Sequence, residues 1–239
     1  MTSAITARQA KRVMVIIAHP DDGEFTSGGT IARWASEGSE IYYVVCTDGS
    51  KGSGDSGLTT EALVHRRQVE QQKAAELLGV REVTFLGRTD GELALDLMLR
   101  KEFVRLIRAV KLDTLLTWDP WRHYQLHTDH RAAGQAALDA VMAAENPRHF
   151  PEQLGEGLEP HRVEEVYLFG TDAPDIWIDI TETFQRKMQA ISQHTSQVTN
   201  TIAEIEKEVG DWNRHLGENR GFTYAEAFKV LRPHCEICR

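Results

Sequence analysis

A buried strand that ends abruptly in ionisable side chains constrains this chain more than any other stretch. Residues 13–30 read VMVIIAHPDDGEFTSGGT, and the apolar run at 13–18 is typical of a strand buried on both faces. Pro20 cannot continue a central strand, so the strand ends there. One imidazole and three carboxylates follow within six positions, where desolvation is costly unless a cation neutralises them. These side chains belong to His19, Asp21, Asp22 and Glu24.

The rest of the chain predicts strands and helices in alternation. Strands are expected at 13–18, 40–47, 83–86, 113–118, 163–169 and 176–180. Helices are expected at 26–37, 60–78, 95–110, 128–144 and between 182 and 209. No secondary structure is assigned to 210–239. This alternation indicates an α/β fold with a doubly wound, mostly parallel, Rossmann-like sheet of order 3-2-1-4-5 and helices on both faces.

A second polar cluster follows the fourth strand. The sequence there is DPWRHYQLHTDH, which contains His127, Asp129 and His130. In a 3-2-1-4-5 sheet the strand order reverses between the first and fourth strands, and ligands bind beyond their carboxyl ends. Taken singly, these residues could be turn or capping residues. The expected meeting of two such clusters favours a metal site.

The ligand types in the two loops indicate the metal and its chemistry. Imidazole and carboxylate without thiolate suit a catalytic zinc, which has three protein ligands and an open position. Bound Zn²⁺ lowers the pKa of water to about 7. A neighbouring carboxylate can then accept a proton, and a hydrogen-bond donor can stabilise an oxyanion. The sequence therefore predicts hydrolysis of an amide or ester.

Composition excludes several classes of partner. The formal net charge is −9, and no basic run exceeds Arg66-Arg67, so neither nucleic acid nor an anionic membrane is expected as a partner. Residues 1–12 lack the apolar region of a signal peptide, and no apolar stretch approaches the roughly 20 residues of a membrane helix. We therefore expect a cytoplasmic protein. The C-terminal HCEIC, with Cys235 and Cys238, is incomplete as a structural zinc site.

Several of these segments resemble one known family. AHPDDGE after the first strand, a Gly-Gly pair four residues past the glutamate, and HTDH after the fourth strand resemble the PIG-L/LmbE-like deacetylases. RQVE leading to AAELLGV, and QHTSQ at 193–197, resemble two further family segments. The resemblance covers roughly residues 12–200 of a single domain spanning 1–239, which leaves about 210–239 as a C-terminal extension. The family's glutamate often follows PDD directly, whereas a glycine intervenes here.

The resemblance implies a zinc-dependent hydrolase that removes an acetyl group from N-acetylglucosaminyl substrates by metal-activated water. It makes His19, Asp22 and His130 the zinc ligands. Asp21 becomes the general base and a later proton donor to the leaving amine. A charged His127 stabilises the oxyanion, and Asp129 orients one of the histidines.

The resemblance also implies a substrate surface. Arg67 and Asp90 correspond to family residues that contact the sugar, while Glu24 supports the loop rather than binding metal. The excursion at 145–162, with Arg148, His149 and Arg162, is expected to act as a lid or specificity surface. The partner is a small N-acetylated amino sugar, and the family's habit of self-association implies a homo-oligomer.

Three other functions compete with this interpretation. A zinc amidase acting on a non-sugar amide or thiol conjugate would use the same catalytic residues, so only substrates separate it from a sugar deacetylase. A catalytically silent metal-binding protein of the same fold would lack the base or the oxyanion histidine, yet Asp21 and His127 are both present. A nucleotide-binding module is excluded because no glycine-rich phosphate loop follows the first strand.

Overall fold

The computed structural model describes residues 10–55, 57–198 and 201–233. Cys235 and Cys238 of the HCEIC tail lie outside these residues. The strands are β1 (Arg12–Ile17), β2 (Glu40–Thr47), β3 (Glu82–Arg88), β4 (Thr114–Trp118), β5 (Glu165–Phe169), β6 (Ile176–Asp179) and β7 (Ala225–Leu231). The helices are α1 (Asp22–Ser36), α2 (Thr60–Leu78), α3 (Leu97–Val110), α4 (Thr128–Ala144), α5 (Glu152–Gly155), α6 (Phe184–Ile191) and α7 (Ile202–Gly217). Across the described ranges, none of these helices is both long enough and apolar enough to span a membrane.

Seven strands form one sheet in the order β3-β2-β1-β4-β5-β7-β6. The first five are parallel, which confirms the predicted α/β class. The predicted order 3-2-1-4-5 describes these five strands but not the whole sheet, which β7 and β6 extend. Strand β7 runs antiparallel to both β5 and β6. Residues 210–233 are therefore not an appendage, because β7 inserts between two strands of the sheet. Its position depends on pairing with strands more than 45 residues away, which local sequence patterns do not report.

The helices fall into two packed groups. Helices α1, α2 and α6 contact one another, and α3 packs on α4. Between the groups, β1 and β4 are almost wholly buried, as their apolar sequences predict. Helix α2 begins after the Thr59 cap and ends at Gly79, both as expected.

Helix α1 begins four residues earlier than predicted, at Asp22 instead of position 26. Its glycines let it pack closely: a Cβ on Gly29 would lie 2.7 Å from Ile180. The buried carboxylate of Glu226 accepts from the main-chain N–H groups of Gly29 (3.0 Å) and Thr30 (2.7 Å). Lys187 pairs with the same carboxylate at 2.7 Å. Strand β7 and helix α6 therefore hold the helix that carries the polar loop.

The 145–162 excursion lies at the far end of α4 from the loop after β4. Helix α4 has 17 residues and so spans about 25 Å. Arg108 of α3 is fully buried and donates to main-chain carbonyls of this excursion. The expectation of a lid or specificity surface is therefore wrong, because α4 carries the chain away from the polar loops before the excursion begins.

Candidate metal centre and catalytic cleft

The two polar loops meet at the carboxyl ends of β1 and β4. These strands are direct neighbours, with Ile16 in register with Thr117. The chain leaves β1 through residues 18–21 and enters α1 at once, while the loop after β4 leads to the first turn of α4. Adjacent parallel strands thus deliver both clusters to one edge of the sheet, as the sequence predicts.

Three predicted metal ligands converge. His130 Nε2 lies 3.3 Å from His19 Nδ1 and 3.4 Å from Asp22 Oδ1, and His19 Nδ1 lies 3.6 Å from Asp22 Oδ2. Ligands bound tetrahedrally to zinc at 2.0–2.1 Å lie about 3.3–3.4 Å apart. The spacing and chemistry of this donor set therefore fit a zinc ion.

Hydrogen bonds leave one oxygen of Asp22 directed at His130. Asp22 Oδ2 accepts from the N–H groups of Ala18 (3.0 Å) and His19 (2.9 Å), and from Trp118 Nε1 (3.0 Å). Asp22 Oδ1 faces His130. Trp118 also stacks on the His130 ring, with centroids 3.8 Å apart. Its indole therefore orients two candidate ligands at once.

Two buried carboxylates orient His19. Its Nε2 lies 3.1 Å from Asp129 Oδ2 and 3.2 Å from Asp90 Oδ1, which leaves Nδ1 toward His130. Asp129 also accepts from the N–H groups of Gly91 and Leu93. A carboxylate on the second nitrogen is the usual support of a metal-binding histidine. The structure thus places Asp129 where the sequence predicts it, and Asp90 beside it.

The cluster favours a positive charge. Burial lowers the pKa of His19, but hydrogen bonds and charge interactions with Asp22 and Asp90 outweigh it and raise that pKa to about 10. Burial raises the pKa of Asp22, yet His130 and His19 hold it well below its usual range. Either a proton or a divalent cation can neutralise the negative charge of these carboxylates.

Asp21 lies beside the three ligands in a strained conformation. It precedes α1 with φ at 107°, a left-handed backbone that is costly for a residue other than glycine. Its Oδ2 accepts from Arg67 Nη2 at 3.1 Å. Burial and the charge of Asp22 raise the pKa of Asp21 to about 7, despite the opposing charge of Arg67. A carboxylate in this environment can accept a proton near neutral pH.

His127 lies at the mouth of the site, exposed, at the N-terminus of α4. Its ring stacks on His130 with centroids 4.4 Å apart and meets His19 edge-on at 4.5 Å. Partial desolvation of the ring against its neighbours, together with the charges of His130 and His19, lowers the pKa of His127. This environment disfavours the charged form expected from the sequence, so the ring is suited to donate as a neutral imidazole.

A cleft of about 440 Å³ opens over this cluster. Arg67 and Asp90 line it, as predicted for sugar contacts, but protein groups already engage both. Arg67 donates to Gly49 O (2.9 Å) and Pro20 O (2.7 Å), and Asp90 Oδ2 accepts from Lys51 N. The full lining comprises His19, Asp21, Asp22, Lys51, Gly52, Arg67, Asp90, Gly91, His127, His130 and Gln197.

Sequence reasoning missed several residues of the site. The sequence identifies Gln197 only as part of QHTSQ and assigns no role to Trp118. Gln71, whose side-chain oxygen accepts from Asp21 N, gives no signal at all, because a glutamine on a helix is ordinary. The QHTSQ segment was the one clue, and the structure brings it to the cleft through its last residue.

Comparison with known proteins shows that the chain is similar to one family of deacetylases. Residues 14–141 match the PIG-L family, described as GlcNAc-PI de-N-acetylase. The chain is 34% identical to diacetylchitobiose deacetylase of Thermococcus kodakarensis, over 92% of this chain and 83% of that protein. It is 28% identical to 1D-myo-inositol 2-acetamido-2-deoxy-alpha-D-glucopyranoside deacetylase of Mycobacteroides abscessus, over 79% of this chain and 82% of that one.

A solved structure extends this similarity to three dimensions. The N,N'-diacetylchitobiose deacetylase from Pyrococcus horikoshii, complexed with its inhibitor MPG, superimposes with a TM-score of 0.89 at 33% identity. The match covers 93% of this chain and 84% of that chain. The fold is therefore similar over nearly the whole length of this chain.

Proposed function

The chain belongs to the PIG-L family, and from that membership and the geometry of the centre we propose a zinc-dependent deacetylase acting on N-acetylglucosaminyl sugars. One observation carries the proposal. The donor atoms of His19, Asp22 and His130 converge at zinc-like spacing directly beside the strained Asp21, at the floor of an open cleft.

The metal-binding residues in this proposal are His19 through Nδ1, Asp22 through Oδ1 and His130 through Nε2. Bound there, Zn²⁺ supplies Lewis-acid chemistry, which polarises a carbonyl and lowers the pKa of water. The two imidazoles favour zinc over magnesium or calcium, which prefer oxygen ligands.

Asp21 performs the proton transfers. It accepts a proton from the water that attacks the acetyl carbonyl, and the new C–O bond forms on the carbonyl carbon. It then returns a proton to the sugar nitrogen as the C–N bond breaks, so the products are acetate and the free amine. Because Asp21 lies beside the proposed ligands and at the cleft, one carboxyl group can do both.

His127 acts on the developing oxyanion. Its position at the cleft mouth, beside the ligand rings, lets a neutral ring N–H donate to the carbonyl oxygen as negative charge builds there. Asp129 and Asp90 hold His19 in position from behind. Arg67 donates to the Asp21 carboxylate and also lines the cleft, where it can contact the sugar.

The proposed substrate is an N-acetylated glucosamine saccharide, with diacetylchitobiose as the first candidate. Two relatives with that named activity are at least 33% identical to this chain and are covered over more than four fifths of their length. The cleft volume is within the range of small-ligand sites. The expectations of a cytoplasmic location and of self-association stay predictions from the sequence.

The test is acetate release from diacetylchitobiose by the zinc-loaded protein, before and after chelation. We expect release that chelation abolishes and zinc restores. GlcNAc-inositol, GlcNAc-malate and an acetylated thiol conjugate complete the panel. Release from the thiol conjugate alone would make the protein a non-sugar amidase, and zinc binding without release from any substrate would contradict the proposal.

A further inference from the structure

The main-chain N–H of Asp21 has an unusual partner. The first N–H groups of a helix lack intrahelical acceptors and are commonly capped by a neighbouring side chain. At α1, the residue in the capping position makes no side-chain cap. Instead, Asp21 N donates 2.9 Å to the side-chain carbonyl of Gln71, which lies 50 residues away on α2. A distant glutamine therefore supports the strained residue.

Helix α2 holds Asp21 at two points. Arg67 and Gln71 are four residues apart and so lie on the same face of this helix. Arg67 binds the Asp21 carboxylate and the carbonyl of Pro20, while Gln71 binds the Asp21 main chain. Both side chains are buried. Together they fix the backbone and the carboxylate of the proposed base from one rigid element.

Glu24 determines which end of the Gln71 amide faces Asp21. Glu24 is fully buried, and its Oε1 lies 3.0 Å from Gln71 Nε2. A carboxylate only accepts, so the amide group that faces it is the NH₂. The carbonyl of Gln71 is thereby directed at the Asp21 N–H. This contact gives Glu24, the glutamate of HPDDGE, a structural role, although it is not one of the proposed metal ligands.

The QHTSQ segment closes the other side of Glu24. His194 is fully buried, with Nε2 3.3 Å from Glu24 Oε2. Glu70, next to Gln71 on α2, accepts from Thr195 Oγ1 (2.7 Å), Ser196 N (2.9 Å) and Ser196 Oγ (2.6 Å). The same helix therefore anchors the segment that backs Glu24.

We propose that Gln71 is a positioning residue for the reaction. Its carbonyl holds the Asp21 main chain in the left-handed conformation that directs the carboxylate into the cleft, and Glu24, backed by His194, fixes the orientation of the Gln71 amide. This inference rests on the proposed function only for its effect on rate. The hydrogen bond itself can be tested without a substrate.

The test compares Gln71→Met with Gln72→Met in the zinc-loaded full chain. Methionine matches glutamine in size but removes the amide, and Gln72 is the adjacent, exposed residue on the same helix. For Gln71→Met we expect kcat on diacetylchitobiose to fall roughly 10- to 100-fold, as for a slightly misplaced catalytic group. We expect KM to stay within about threefold and the zinc content to equal wild type. Gln72→Met should match wild type throughout.

Amide hydrogen exchange at Asp21, followed by NMR, reports on the contact directly. We expect faster exchange at this one loop amide in Gln71→Met and not in Gln72→Met. If no variant or wild type releases acetate, the proposed function fails while the exchange result still decides whether Gln71 holds Asp21. Unchanged exchange in Gln71→Met would overturn the inference.

Glu24→Gln supplies a conservative variant should Gln71→Met fold poorly. A carboxamide at position 24 can donate as well as accept, so it no longer fixes the orientation of the Gln71 amide. We therefore expect a smaller fall in kcat and a smaller rise in Asp21 exchange than in Gln71→Met, with zinc retained. A loss of activity in Glu24→Gln with retained zinc and unchanged Asp21 exchange would show that the charge of Glu24 acts by another route, which contradicts the inference. Loss of zinc in Gln71→Met would likewise assign Gln71 to the metal loop instead of the base.

Discussion

Strongly polar side chains are buried at both ends of α4, but the partners of these side chains differ between the two ends. At the C-terminal end, the guanidinium of Arg108 is fully buried, and its donors reach five main-chain carbonyls and the side-chain oxygen of Gln153. At the N-terminal end, His130 Nε2 faces another imidazole nitrogen and a carboxylate oxygen. The protein itself supplies the partners of the first cluster, whereas the donor atoms of the second converge on one another.

This difference separates structural from functional burial. Buried polar groups are normally paired, and a closed set such as that of Arg108 stabilises a segment without further requirement. Donor atoms that converge on one another at ligand spacing remain costly until a cation joins them. The left-handed backbone of Asp21 adds strain at the same end. Burial alone would not have distinguished the two clusters.

Removing a converging donor should have the largest effect. We expect His130→Ala to lose bound zinc and all measurable acetate release, because two ligands cannot replace three. Metal analysis after dialysis checks this. His149→Ala removes an exposed imidazole near the other end of α4 and should leave both quantities unchanged. A full complement of zinc in His130→Ala would remove that residue from the ligand set.

Replacing the base should separate chemistry from metal binding. In Asp21→Asn the side chain keeps its shape but cannot accept a proton, so kcat should fall about 10²- to 10⁴-fold while zinc content is retained. Steady-state kinetics on the zinc-loaded variant measure this. A rate near wild type would assign proton transfer to another group.

The histidine at the mouth should affect rate without affecting the metal. We expect His127→Ala to lower kcat about 10²- to 10³-fold, as for other oxyanion donors. His123→Ala in the same loop is the control, because that side chain is exposed and pairs with Asp172 at the surface. Equal rates for the two variants would leave His127 without a catalytic role.

Weakening the contact between Asp129 and His19 should lower the affinity for zinc. Asp129→Asn weakens the acceptor for the His19 ring and for the Gly91 and Leu93 N–H groups, so zinc affinity should fall about 10- to 100-fold. Competition with a chelator of known affinity gives the value. Unchanged affinity would mean that packing alone orients His19.

Replacing the buried Arg108 should lower the stability of the protein without changing its activity. In Arg108→Met the carbonyl acceptors lose their donors, at a cost of about 1–3 kcal/mol in the free energy of unfolding. The kcat of the folded fraction should not change. Arg105→Met, which breaks an exposed pair with Glu156, should change stability much less, because water screens such pairs. A fall in kcat for Arg108→Met would show that the two ends of α4 are coupled. It would contradict a purely structural role for Arg108.

Much of the site could be predicted because its clusters follow buried strands. The apolar runs of β1 and β4 identify both strands locally, and parallel topology then brings HPDD and HTDH to one edge. Asp90 and Arg67 were expected at the cleft and line it, although their partners proved to be His19, Lys51, Gly49 and Asp21. Local sequence shows where a polar residue lies along the chain but not which atom it meets.

The remainder depended on contacts between distant segments. Strand β7 joins the sheet through residues far away along the chain, and the 145–162 excursion is held at the far end by an arginine on α3. Gln71 resembles any polar residue on an amphipathic helix until its neighbours are known.

The sequence by itself determined the α/β class and showed that two His/Asp loops follow buried strands, because strand burial follows from local apolar patterns. The tertiary structure alone decided that Asp22 directs Oδ1 inward, that Trp118 braces two candidate ligands, and that α2 holds Asp21. These outcomes depend on side-chain directions and helix packing. Neither is encoded in the spacing of residues along the chain.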